Sequence, residues 1–206
     1  MKRLPAITLG LNLLWMVSAS WGQEDFEVGV DPTTNHLTIR YDHDQYPLEL
    51  PPSGEPRLPG FAQDDPGFFS VDPNGVIPGV FELLNPRADI NMRVVGSSSP
   101  EMKVWNPLAP GVLQIIGDHL WDIGTPEFDI HPWWHIDTSD PHYSPAHSPW
   151  SITFQLQDNA GYHLPSDPVT VQFTPEPTAV ALLAAGAALL RRPRGSAGRI
   201  FANTWN

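Results

Sequence analysis

Between residues 23 and 173 no hydrophobic pattern keeps a helical period for more than ten residues, because proline, glycine or aspartate interrupts it. What survives between the interruptions is short and often alternates with period two. In His36-Leu37-Thr38-Ile39-Arg40-Tyr41, residues 37, 39 and 41 share one side; in Ser151-Ile152-Thr153-Phe154-Gln155-Leu156, residues 152, 154 and 156 do the same. Alternation gives a strand one dry and one wet face, the condition for two sheets to pack face to face. The 24 prolines and 16 glycines suit many turns and exclude a helical bundle.

These runs predict strands at Phe26–Val30, His36–Tyr41, Phe68–Val71, Val80–Leu84, Asn91–Val95, Lys103–Asn106, Gly111–Ile116, Phe128–Ile130, Ser151–Gln157 and Val169–Phe173. The expected fold is all-β: a single antiparallel β-sandwich, of plain or jelly-roll type, over residues 23–173. The proline-rich stretch 47–67 has no periodicity and reads as a long loop or an arm laid over the sheets. With no cysteine, thiol catalysis, Cys-ligated zinc and iron–sulfur clusters are excluded. A domain of about 150 residues buries enough core to stand without disulfides.

The two ends differ in kind from the middle. Met1-Lys2-Arg3 precedes an apolar stretch from Leu4 to Val17, followed by Ser18-Ala19-Ser20-Trp21-Gly22. A basic start, an apolar core and small exit residues are the parts of a secretory signal peptide. As a helix the apolar stretch would span only about 21 Å, too short for a comfortable crossing. Cleavage fits after Ser20 or after Gly22; residues 1–22 are taken as the signal, since the polar mature chain then begins at Gln23. Export would proceed through the Sec translocon and signal peptidase.

At the other end Pro175-Glu176-Pro177 is followed by the Ala/Leu-rich run 178–190 and then by Arg191, Arg192 and Arg194. Prolines flanking a glutamate stop a strand and hold an extended segment. The run reads as a short transmembrane helix whose orientation the arginines fix by staying cytoplasmic. The arrangement, over residues 174–194, resembles the PEP-CTERM sorting signal. That resemblance implies processing by an exosortase in a Gram-negative-type bacterium that makes extracellular polysaccharide. Pro175, Glu176 and Pro177 would then be recognition residues, and membrane contact would be confined to the tail before cleavage. The extension 195–206 departs from the usual pattern, in which the tail stops after the basic cluster.

Charge is segregated too. Residues 23–173 hold 22 acids and five bases, about -17 for the folding part. Such a surface repels nucleic-acid phosphates and attracts divalent cations or basic partners. Asp42, Asp44, Asp64 and Asp65 read mainly as solvated turn residues, with Ca²⁺ as a lesser alternative.

One segment concentrates chemistry. From His131 to Trp150 lie four of eight histidines (His131, His135, His142, His147) and three of eight tryptophans (Trp133, Trp134, Trp150). Imidazoles near carboxylates suit Zn²⁺ or Cu²⁺. If the segment is extended, His131 and His135 share a side, and His119 is the candidate third ligand. Exposed tryptophans could instead stack on sugars. The plainer reading has solvated loop histidines and tryptophans that clamp the loop onto the core. Residues 120–173, with Asp158-Asn159-Ala160-Gly161-Tyr162 and Ser166-Asp167 before the last strand, are also loosely similar to a His/Trp-rich β-domain group of surface-anchored bacterial proteins.

No HExxH or GxSxG motif is present, and Ser144 and Ser148 lack the strand–turn–helix context of a nucleophile. The expected role is therefore a non-catalytic structural or interaction protein of the cell surface or extracellular matrix. The alternatives are a zinc- or copper-binding surface protein using His131–His147, and a carbohydrate-binding or carbohydrate-active domain meeting extracellular polysaccharide.

Overall fold

The computed structural model describes residues 25–41, 47–117 and 119–176. Twelve strands follow one another: β1 (Phe26–Val30), β2 (Leu37–Arg40), β3 (Leu48–Leu50), β4 (Gly60–Gln63), β5 (Phe68–Ser70), β6 (Ile90–Ser97), β7 (Met102–Trp105), β8 (Trp121–Gly124), β9 (Asp129–Ile130), β10 (Trp133–Asp137), β11 (Trp150–Asp158) and β12 (Val169–Pro175). A 3-10 turn, Pro145–His147, precedes β11. The fold is all-β over the described residues. The expected signal segment 1–22, the run 178–190, Pro177, Arg191, Arg192, Arg194, Asp42, Asp44 and the extension 195–206 lie outside them. Among the described residues no helix is long and apolar enough to cross a membrane.

Three sheets form, in the orders β2-β1-β5-β9, β4-β10-β7 and β3-β12-β11-β6-β8. Most pairings are antiparallel, but β1 runs parallel to β5 and β12 parallel to β3, so two of the sheets are mixed. The wholly antiparallel expectation fails there for a topological reason. Both parallel pairs join strands far apart in the chain, and only long crossovers can bring strands together with the same direction.

The alternating runs fold as their periods require. In β11 Ile152, Phe154 and Leu156 are fully buried, paired on one side with β12 and on the other with β6. Between β1 and β2 the Asp31 carboxylate accepts from the Thr33 amide at 2.7 Å and the Thr34 hydroxyl at 2.9 Å. Asn35, at φ 59°, then turns the chain back in the left-handed region that asparagine tolerates.

The proline-rich stretch 47–67 is not a plain loop. It contributes β3 and β4, with Leu48 and Leu50 buried. Both lie at sheet edges, where a residue without an amide proton breaks no ladder. Conversely, Val80–Leu84 and Gly111–Ile116 make only isolated bridges, through Phe81, Glu82 and Gln114.

All three sheets share one core. The rings of Phe26 (β1), Phe68 (β5) and Phe154 (β11) lie 4.9–5.4 Å apart by centroid, and Trp134 (β10) stacks on Phe173 (β12) at 5.2 Å. Such aromatic pairs contribute about 0.5–1.5 kcal/mol each beyond their burial. This core holds the 129–150 segment across two sheets, β9 in one and β10 in the next.

Candidate functional site

Pro132, between β9 and β10, is where the chain passes from one sheet to the next. His131 therefore stands at a junction between sheets and not on one edge with His135. There it meets the start of β1 and the turn 64–67. Its Nδ1 donates to the Asp64 carbonyl at 3.0 Å, and lies 3.2 Å from Asp65 Oδ1 and 4.0 Å from Asp25 Oδ1. Its Nε2 faces Asp129 Oδ1 at 3.4 Å.

Gly67 shapes this corner. Its amide donates to Asp25 Oδ1 at 2.5 Å, and a Cβ on it would meet His131 ring atoms at 2.5–2.7 Å. Only glycine lets the imidazole lie against the backbone while fixing the carboxylate.

Burial works against charge on His131. The carboxylates of Asp25, Asp65 and Asp129, with the Asp64 carbonyl, outweigh it and raise the pKa. Asp65 is raised as well, by burial first and also by Asp25 and Asp64, against the opposing pull of His131. Negative charge is crowded here beyond what one imidazolium neutralises. Asp25, Asp65 and His131 together could hold a metal ion.

His135 is in a different setting. It is buried, with both ring nitrogens engaged: Trp105 donates its indole N–H to Nδ1 at 3.1 Å, and Nε2 lies 3.0 Å from the Pro59 carbonyl. An indole nitrogen only donates and a carbonyl only accepts, so the proton sits on Nε2 and the Nδ1 lone pair is already engaged, leaving none for a metal. Burial lowers its pKa. The same outer row of β7 and β10 carries Lys103, which reaches Asp137 at 2.6 Å and Asp140 at 2.9 Å.

A third cluster closes the segment. Glu101 is fully buried; its Oε1 accepts from His147 Nδ1 at 2.5 Å and from the Trp150 indole at 3.0 Å. Burial alone would raise this carboxyl, but the hydrogen bonds from His147, Trp150 and nearby groups win and bring it down to about 2. His142 is exposed and pairs with Asp140 at 3.0 Å, and His119 is exposed.

The five histidines thus do not converge. They fall into separate groups around Asp25, Trp105, Asp140 and Glu101, with His119 apart. The tryptophans are likewise divided. Trp134 donates to the Pro66 carbonyl at 2.8 Å from within the core, and Trp150 stacks under Tyr143. Both are fully buried and leave no face open to a sugar; Trp133 is half-buried.

Asp25, Gly67 and Glu101 escape a sequence reading. They meet their partners across separations of 42 to 106 residues, and no local spacing signals such contacts. No protein-family model matches the chain, and no curated protein or solved structure matches it.

Proposed function

We propose that this chain is an exported protein of the bacterial cell surface or extracellular matrix, processed by an exosortase at its C-terminal triplet, with a structural or interaction role and no catalysis. The observation that carries the reading is how the described strands meet the triplet. β12 pairs with β3 through Phe173, Thr174 and Pro175, and the Glu176 amide donates to the Leu50 carbonyl at 3.0 Å. The described fold thus runs to the triplet itself, and the apolar run and arginine cluster follow in the sequence. We read β12 as the strand that leads the domain directly into the proposed sorting tail.

We read the three sheets as a sandwich of mixed rather than wholly antiparallel layers, the five-stranded sheet as one layer and the other two together as the opposing one; the aromatic core shared by all three supports this reading. An interaction role draws support from the loop after β7. It exposes Leu108 at 92% and Val112 at 75% on an otherwise acidic domain.

The test is expression of the full chain in a host with an exosortase and in the same host lacking it. The reading expects a shortened, protease-accessible surface form only in the first, lost in Glu176→Ala. Equal products in both hosts would overturn it.

A further inference from the structure

The corner around His131 has the parts of a metal centre in an order that surface aspartates alone do not provide. Three oxygens surround one ring nitrogen. Asp64 O at 3.0 Å, Asp65 Oδ1 at 3.2 Å and Asp25 Oδ1 at 4.0 Å all lie about Nδ1, while the opposite nitrogen faces the Asp129 carboxylate at 3.4 Å. We propose that a divalent ion of the zinc type binds here, held by His131 Nδ1, Asp25 Oδ1 and Asp65 Oδ1 and completed by water.

The geometry is within reach of such an ion. Bonds of 2.0–2.2 Å at a tetrahedral centre put neighbouring ligand atoms about 3.4 Å apart. The observed 3.2 and 4.0 Å bracket that value, and all three donor atoms lie within 4.8 Å of one another, so closure needs only local side-chain shifts. On binding, the ring releases its Nδ1 proton to solvent and gives that lone pair to the ion. Its remaining proton then sits on Nε2, 3.4 Å from the Asp129 carboxylate. A carboxylate behind a ligating imidazole orients the ring and raises its basicity, the usual outer support of a histidine–metal bond.

The ion's class follows from the donors. An imidazole nitrogen disfavours Ca²⁺, which takes six to eight oxygens, and favours zinc-like ions; the two carboxylates add charge that a divalent cation offsets. Gly67 contributes by omission, since any side chain there would drive His131 out of line. All three ligands are partly exposed, so solvent can bring the ion and fill its open positions.

The test is calorimetric titration of the full chain in detergent with Zn²⁺, then with Ca²⁺. The expected result is one Zn²⁺ per chain, with Ca²⁺ at least about tenfold weaker. His131→Gln and Asp65→Asn should abolish the heat, and Asp129→Asn should weaken it about 10–100-fold, the range for loss of an outer carboxylate. His142→Gln, outside the corner, should leave it unchanged. Circular dichroism checks that each variant folds. Should His131→Gln misfold, the Co²⁺-loaded wild type and Asp65→Asn decide by their visible absorption, expected only in the former. Absence of Zn²⁺ binding, binding that survives in folded His131→Gln or Asp65→Asn, or Ca²⁺ binding as tight as Zn²⁺ would overturn the proposal.

Discussion

Trp105 and His135 are diagonal neighbours on paired strands, and the indole N–H of one is spent on Nδ1 of the other at 3.1 Å. With Nε2 held by Pro59, the imidazole is locked in one neutral tautomer. Trp105→Phe removes the donor and leaves a buried nitrogen unpaired, at a cost of about 1–3 kcal/mol. A urea unfolding midpoint lowered at pH 7.5 with unchanged slope checks this.

The same residue sets a pH dependence. Burial holds His135 below the 6.5 of a free imidazole. Between that lowered value and 6.5 the unfolded chain binds a proton that the folded chain does not, so stability rises with pH across the window and falls on acidification. The slope from one such group is at most about 1.4 kcal/mol per pH unit. In His135→Leu this contribution disappears. The wild-type-minus-variant stability, measured by urea from pH 7.5 to 5, should therefore shrink as pH falls.

Glu101 governs a more acidic limb. Its carboxyl is held at about 2, against 4.5 when free, with burial opposed and outweighed by hydrogen bonds from His147 and Trp150. From pH 4.5 down to about 2 the unfolded chain takes up a proton that the folded chain resists. The stabilisation is complete above 4.5 and lost as pH falls to 2. Glu101→Gln should lower stability at pH 7 by about 1.5–3 kcal/mol, the scale of a charge-assisted hydrogen bond, and flatten this acid limb. Thermal melts at pH 7, 4 and 2.5 check both parts.

Pro175 and Glu176 of the proposed sorting triplet are paired to β3 and so partly shielded by the domain they follow. Four Gly/Ser residues inserted between Thr174 and Pro175 should raise the processed fraction in an exosortase-bearing host. Quantitative blotting of precursor and product reads the effect, and an unchanged fraction would show that the pairing does not limit access.

Where one face of a strand is wet, as in Leu37–Arg40 and Trp150–Asp158, period two is visible in the sequence and the strands lie where it puts them. Trp133–Asp137 lies hidden because Trp134 and Ile136 face the core while His135 is covered on the other side, so no alternation remains. Leu48–Leu50 is masked by its flanking prolines, which an edge position accommodates. Of the candidate metal corner, His131 and Asp65 are suggestive in the sequence. Asp25 is not, since only the parallel pairing of β1 with β5 brings it to the turn before β5.

The most direct measurement is the intact mass of the mature protein recovered from the surface of an exosortase-bearing host. The account predicts a chain that begins at Gln23 and ends at or near the triplet 175–177, lacking the apolar run and the arginines. A recovered chain that still carries residues 178–206 would contradict it.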